Sequence, residues 1–199
     1  LVSSFSSSFT SFALKYSKTP EKLPVVLTKE EIKKLIANIK NGKHKLMTAM
    51  LYSSGLRASE LINLKIKDIN LKEKYGFVRK GKGNKDRIFV IADKIERTLI
   101  PLYCGKNPEN YLFITNRNKK YNIRSLQQII KKAVKLAGIK KNVSCHSLRH
   151  SFATHLIENG CSVSEVQSLL GHKSPETTLI YLHVSAPTML KIKSPFDSI

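Results

Sequence analysis

The chain has 199 residues and carries 35 Lys plus Arg against 14 Asp plus Glu, a formal net charge of +21. Hydrophobic residues make up 41%, which excludes a disordered basic tail and suits one domain of ordinary size with a piece of another. So large an excess of positive charge calls for a polyanionic partner, nucleic acid first and a membrane surface second, although no segment approaches the roughly 20 apolar residues of a spanning helix. A lysine bias from genome composition or heat adaptation is the competing reading of charge alone. The cysteines, Cys104, Cys145 and Cys161, are odd in number and lack CxxC spacing. That argues against a disulfide framework or a zinc site and fits a reducing, cytoplasmic compartment.

The opening LVSSFSSSFTSFALKY lacks the basic start and long apolar core of a signal peptide. Phe5, Phe9, Phe12 and Leu14 recur at near-helical spacing, so residues 1–16 are expected to be the last helix of a preceding domain. Residues 17–27, with Lys18, Pro20, Glu21, Lys22 and Pro24, read as a linker. Thr28 then caps a helix, with Glu31 placed for a capping box and Ile32, Leu35, Ile36 and Ile39 as its apolar stripe. A second helix is expected from Lys43 to Ser54, with Leu46, Met47, Met50 and Leu51 facing inward; Gly55 stops it and Arg57 follows. Ser59 to Leu64 reads as a short helix.

The middle of the chain changes character. Ile66 to Asn70, Gly76 to Arg79 and Arg87 to Ile91 read as short strands, and Gly81-Lys82-Gly83-Asn84 is turn chemistry that places Lys82 on a β-hairpin tip. Helix returns over Asp93 to Tyr103, and Tyr111 to Thr115 reads as a short extended piece. From Ile123 the pattern is helical, with Leu126, Ile129, Ile130, Ala133, Val134 and Ala137 on one face up to Gly138. Further helices are expected over His146 to Asn159 and Val163 to Leu170, and another from Ser174-Pro175-Glu176 with Tyr181 near its end.

A dispersed polar set stands out: Arg57 in GLRASEL, Lys82 in GKGNKDR, His146 and Arg149 in HSLRH, His172 in LLGH and Tyr181 in TTLIYLH. Arginine holds two phosphate oxygens in a planar fork and stays charged, and a tyrosine can form a covalent phosphotyrosine. His146 and Arg149 are three apart and share a helix face, so both could reach one phosphate, whereas His150 points elsewhere. Each residue also has a plainer reading: Arg57 as an ion pair with Glu60, the histidines as structural groups, Lys82 as one solvated lysine among Lys80 and Lys85, Tyr181 as packing, and Cys145 as a small buried residue opening a helix.

Taken in order and spacing, GLRASEL, GKGNKDR, HSLRHSFATHL, LLGH and TTLIYLHV resemble the tyrosine recombinases, the phage integrase-like family, and in particular its Xer-type group. The resemblance runs from about Leu23 to the C-terminus, and the end KIKSPFDSI is similar to archaeal members. It implies that Arg57 and Arg149 clamp the scissile phosphate, with Glu60 bracing Arg57. Lys82 would be the general acid for the 5′-hydroxyl leaving group, with Lys85 as its rival. His146 would assist proton transfer from the nucleophile, His172 would hydrogen-bond the phosphate, and Tyr181 would form a 3′-phosphotyrosyl link.

The resemblance further implies a mainly α fold with a small antiparallel β-sheet, an α+β catalytic domain over residues 28–184, and a tail at 185–199 exchanged between subunits through Met189, Leu190, Ile192 and Phe196. The expected partners are double-stranded DNA bearing a specific recombination site and further copies of the chain, a tetramer on paired sites. No membrane partner, metal or other cofactor is expected. Lys43, Lys45, Arg117, Lys119, Lys120 and Arg124 are the candidates for holding DNA, with the helix from Arg124 turned to the major groove. The expected function is site-specific recombination, with chromosome-dimer resolution ahead of viral or plasmid integration. A type IB topoisomerase and a non-catalytic DNA-binding relative are the other classes.

Overall fold

The computed structural model describes residues 24–79 and 86–171. The expected N-terminal helix, most of the linker, the Lys82 hairpin tip, His172, the helix with Tyr181, and the tail at 185–199 lie outside the described residues.

Local chemistry sets the first helices. α1 (Lys29–Ala37) opens on the expected capping box: the Thr28 hydroxyl accepts from the Glu31 amide and the Glu31 carboxylate accepts from the Thr28 amide. α2 (Gly42–Ser53) is capped by Asn41 and buries Leu46, Met47, Met50 and Leu51. Leu27, which the sequence places in the linker, is fully buried, and its amide donates to the Ser151 hydroxyl at 2.9 Å. The packed domain therefore begins at least one residue before its first helix. α3 (Ala58–Asn63) follows Arg57 directly.

The first expected strand is mostly a turn. Ile66–Asp68 forms a 3₁₀ turn and only Ile69–Asn70 (β1) pairs. The cause is visible in the hydrogen bonds. Asp68 accepts from the Lys65 amide at 2.9 Å, and the Ile66 and Lys67 amides donate to the Asn110 and Pro108 carbonyls instead of a neighbouring strand. β2 (Tyr75–Val78) and β3 (Arg87–Val90) complete an antiparallel sheet of order β1-β2-β3, in which Val78 pairs with Arg87. The Tyr111 region contributes only isolated bridges, Lys65 with Tyr111 and Ile114 with Lys120.

The remaining helices are α4 (Asp93–Tyr103), α5 (Ile123–Leu136), α6 (Cys145–Glu158) and α7 (Val163–Leu170). α6 runs through the interior: ten of its residues are buried, among them Arg149 and His155. The main core gathers α1 to α5, the sheet and the start of α6, and a smaller cluster of Phe152, Ala153, Ile157, Val166 and Leu170 joins α6 to α7. Burying Val166 and Leu170, both fully enclosed, stabilises the α7 contact by about 1.5–3 kcal/mol each. No helix among the described residues is long and apolar enough to cross a membrane.

Candidate active site

Two glycines bring the chain ends of the site together. Gly55 (φ +57°) carries the chain from α2 to Arg57, and a Cβ there would lie 2.5 Å from Phe152 and 2.9 Å from Leu170. Gly171 (φ +62°) ends α7, and a Cβ there would lie 2.8 Å from the Arg87 Cδ. Both positions need the left-handed backbone and lack space for a side chain. The Arg57 loop, α6, β3 and the end of α7 are thereby drawn onto one point.

Glu60 stands at that point with only 6% of its side chain exposed. Its Oε1 accepts from Arg57 Nη1 at 2.7 Å and its Oε2 from Arg87 Nη2 at 2.6 Å. Oε2 also accepts the Arg57 amide at 2.7 Å and lies 3.8 Å from Arg149 Nη1. One carboxylate thus gathers three guanidinium groups from distant parts of the sequence. Burial pushes the Glu60 carboxyl up, but the Arg87 charge and the hydrogen bonds from Arg57 and Arg87 outweigh it and hold it below the usual carboxylate range. Burial weighs against the Arg87 charge and Glu60 opposes that effect; a guanidinium remains a cation at neutral pH regardless.

The plain and the functional readings of Arg57 turn out to be compatible. Its Nη1 is held by Glu60, yet the side chain keeps 20% of its surface open, so a braced cation still faces outward. Arg149 is different. It is 4% exposed, and its Nη1 and Nη2 donate to the Gly55 and Leu170 carbonyls at 2.6 Å each. It ties the loop before Arg57 to the end of α7, the helix that leads into His172. His146 lies exposed one turn earlier on α6, so the shared helix face combines an open histidine with a buried arginine.

Arg87, the last residue of GKGNKDR, is a member of the site that the motifs do not mark. Its side chain is 8% exposed, and Nη1 donates to the Leu169 carbonyl at 2.6 Å. The signal was available in strand alternation: Phe89 is buried at 1%, so Arg87, two residues earlier, shares its inward face.

Among the candidate DNA contacts, Lys45, Arg117, Lys119, Lys120 and Arg124 are exposed. Lys120 also bonds Asn63 Oδ1 and lies 5.2 Å over the Tyr111 ring. Lys43 is half-buried, and its ammonium donates to the Ile114 carbonyl at 2.6 Å, which makes it a strut before it is a phosphate ligand. Cys145 is buried, and burial pushes its thiol up to about 11, so it is poorly suited to act as a thiolate nucleophile. Among the described residues, no group of three or more His, Cys, Asp and Glu side chains could hold a metal ion.

His150 is half-buried, and burial, followed by the charges of His146 and Arg149, pushes it down to about 4. Burial also lowers His44, helped by Lys43, and His155, where Glu158 opposes. An unfolded histidine takes up its proton near 6.5, well before the folded His150 does. Between these values the unfolded state binds more protons, so stability falls as pH falls. Urea midpoints at pH 7, 6 and 5 are expected to decrease in that order, and His150→Gln should make the decline shallower.

The Phage integrase family profile matches residues 25–187. Tyrosine recombinase XerA of Pyrococcus horikoshii is 42% identical over 179 residues, covering 86% of this chain and 61% of that protein. The crystal structure of XerA recombinase superposes with a TM-score of 0.76 at 32% identity, over 87% of this chain and 68% of that one. The XerH site-specific recombinase bound to difH substrate, a pre-cleavage complex, gives 0.68 at 30% identity, over 89% and 56%. The chain spans between 59% and 62% of the length of the first curated relatives that it matches. With most of its length matched by the family profile and its helices and small sheet in the same arrangement, the chain belongs to the phage integrase family, and the relatives it resembles are Xer-type tyrosine recombinases.

Proposed function

We propose that the chain is the catalytic part of a site-specific DNA recombinase that cleaves and rejoins strands through a 3′-phosphotyrosyl intermediate, in an Xer-type role such as chromosome-dimer resolution. The observation that carries this reading is the Glu60 cluster. It joins Arg57, which is braced yet open, to Arg149 at the root of the segment that continues to His172 and Tyr181. The charge of +21 and the likeness to a DNA-bound XerH complex support duplex DNA as the partner.

In this reading Arg57 and Arg149 neutralise the scissile phosphate, and His172 adds a hydrogen bond. The Tyr181 Oη–phosphorus bond forms while the bond from phosphorus to the 5′ oxygen breaks. Lys82 gives its proton to that oxygen, and His146 receives the phenol proton. Rejoining reverses these transfers, and the bond energy is kept in the phosphotyrosine, so the reaction needs no nucleotide. Residues 28–184 form the catalytic domain. Residues 185–199 dock on a neighbouring copy, and four copies act on two sites.

The test is a nicked suicide duplex carrying a family-type recombination site, on which the nucleophile's attack releases a short strand and traps the protein. A covalent adduct is expected from this chain. Intact binding without any adduct would leave a DNA-binding relative and overturn the enzymatic reading.

Binding itself should weaken steeply with salt, because phosphate contacts release counterions. The exposed Lys119 and Arg124 are the contacts to test. The double substitution Lys119→Ala with Arg124→Ala should weaken binding to all duplexes alike and reduce the slope of log K against log salt by about 2. An unchanged slope would remove this face from the interface.

A further inference from the structure

We propose that Arg87 is a positioning residue for the phosphate-binding arginines: it takes up the charge of Glu60, so that the carboxylate braces Arg57 without cancelling the positive charge that Arg57 and Arg149 present to a phosphate. The role rests on the recombinase reading above. A carboxylate paired with Arg57 alone would fix its direction and neutralise it at once. Here Glu60 Oε1 accepts from Arg57 Nη1 at 2.7 Å, while Oε2 accepts from Arg87 Nη2 at 2.6 Å and stands 3.8 Å from Arg149 Nη1. Three guanidinium groups less one carboxylate leave two positive charges in excess. A phosphodiester is an anion, and fixed cations stabilise the charge that its oxygens gain in the transition state.

Arg87 is placed for this balance rather than for direct contact with a phosphate. Its side chain is 8% exposed against 20% for Arg57. Its Nη1 donates to the Leu169 carbonyl at 2.6 Å, beside the Leu170 carbonyl that accepts from Arg149 Nη2 at 2.6 Å. Both carbonyls belong to the last turn of α7, whose partial negative charge holds the two cations side by side. β3 is fixed at both ends: Arg87 pairs with Val78, and the Ser54 hydroxyl donates to the Val90 carbonyl at 2.7 Å. Without Arg87, Glu60 Oε2 would retain the Arg57 amide and turn to Arg149, the cation 3.8 Å away. That shift would loosen the Arg57 brace and offset the charge of the second arginine.

A purely stabilising role accounts poorly for this residue. Its Nε is buried without a hydrogen-bond partner among the described residues, and an orphaned buried donor is unfavourable. Apolar side chains of similar size commonly replace a buried ion pair without loss of stability. Yet Ile88 and Val90 are 50% and 41% exposed while the charged residue takes the inward position. The strand gives that position to a cation, which serves the balance of charge around Glu60.

The test changes the charge of the scissile phosphate. Adduct formation by this chain is measured on the ordinary suicide duplex and on one whose scissile group is a methylphosphonate, which carries no negative charge and needs less neutralisation. The proteins are the wild type, Arg87→Met, Arg87→Lys and, as the reference for a lost phosphate cation, Arg57→Ala.

Arg87→Met is expected to slow cleavage of the ordinary duplex by about 10²-fold, at the lower end of what one fixed charge-stabilising group contributes. On the methylphosphonate duplex it should come within about 5-fold of the wild type on that duplex, as Arg57→Ala should. Arg87→Lys keeps the charge but loses the fork, and should fall between Arg87→Met and the wild type on the ordinary duplex. Each protein is compared on two duplexes, so a partly unfolded fraction lowers both rates alike and cannot produce the relief. Equal Arg87→Met defects on the two duplexes would overturn the proposal and leave Arg87 to the fold. Arg87→Lys as slow as Arg87→Met on the ordinary duplex would overturn the charge role as well. An Arg57→Ala defect that the neutral group does not relieve would remove the phosphate cation that Arg87 serves, and the proposal with it. No adduct from the wild type on the ordinary duplex would instead overturn the recombinase reading on which the role of Arg87 depends.

Discussion

Tyr181→Phe is expected to abolish the covalent protein–DNA adduct while leaving duplex affinity unchanged. The substitution removes one oxygen, the atom that would carry the phosphoryl group, and no solvent molecule can replace it in a protein-linked product. The chain has seven tyrosines, and their surroundings argue against several of the others. The Tyr52 hydroxyl shares a hydrogen bond of 2.9 Å with His155 Nδ1, and burial pushes its phenol up. Tyr121 is buried, bonded to His44 Nε2 at 3.2 Å, and also raised by burial. Tyr75 packs edge-on against Phe77. The adduct is read on a denaturing gel with labelled suicide duplex, and a surviving adduct in Tyr181→Phe would move the nucleophile to another residue.

A graded comparison sharpens this outcome. Arg57→Ala should slow adduct formation by about 10²–10³-fold, the usual consequence of losing one fixed transition-state stabiliser. It should not abolish it, because the nucleophile and Arg149 remain. Its effect on folding should be small, since Arg57 is the open member of the cluster and Glu60 keeps Arg87. The contrast between complete loss at Tyr181 and partial loss at Arg57 distinguishes a bond-forming group from a charge-stabilising one.

Local signals explain why much of this arrangement was legible in the sequence. The Thr28–Glu31 capping box, the α4 limits Asp93–Tyr103 and the α7 limits Val163–Leu170 follow from capping residues, periodicity and a stop glycine. The error at Ile66–Asp68 has a non-local cause. Its β-branched pattern suits a strand, but the amides are taken by Asn110 and Pro108, more than forty residues away in the chain. The burial of Arg149 is not legible in the sequence, because its partners are backbone carbonyls at Gly55 and Leu170 that carry no side-chain signal. Arg87 was hidden by the lysines of its own motif, and period-2 alternation with Phe89 was the clue that distinguished it.

The largest stability effect is expected at Glu60. Glu60→Ala leaves the 8% exposed Arg87 and the 4% exposed Arg149 without their shared counter-charge. Removing one partner of a buried ion pair costs about 3–5 kcal/mol, a large share of the roughly 5–15 kcal/mol that holds an ordinary domain folded. Glu60→Gln keeps the shape and some of the hydrogen bonds, so its loss should be smaller. It should also remove part of the acid sensitivity. The Glu60 carboxyl is held below its ordinary value of 4.5, so its contribution is complete above that value and disappears as pH falls through the lower folded value. Urea midpoints at pH 7 and across the acid limb measure both effects. The double substitution Glu60→Leu with Arg87→Met should be less destabilising than Glu60→Ala, because it removes a buried charge together with its partner. Strand cleavage should nevertheless stay low in that variant, since Arg57 would have lost its brace and β3 its tie to α7. Recovery of stability without recovery of cleavage would separate what the cluster does for the fold from what it does for the phosphate; a double variant no more stable than Glu60→Ala would show that the cluster's charges are tolerated by solvent rather than by one another.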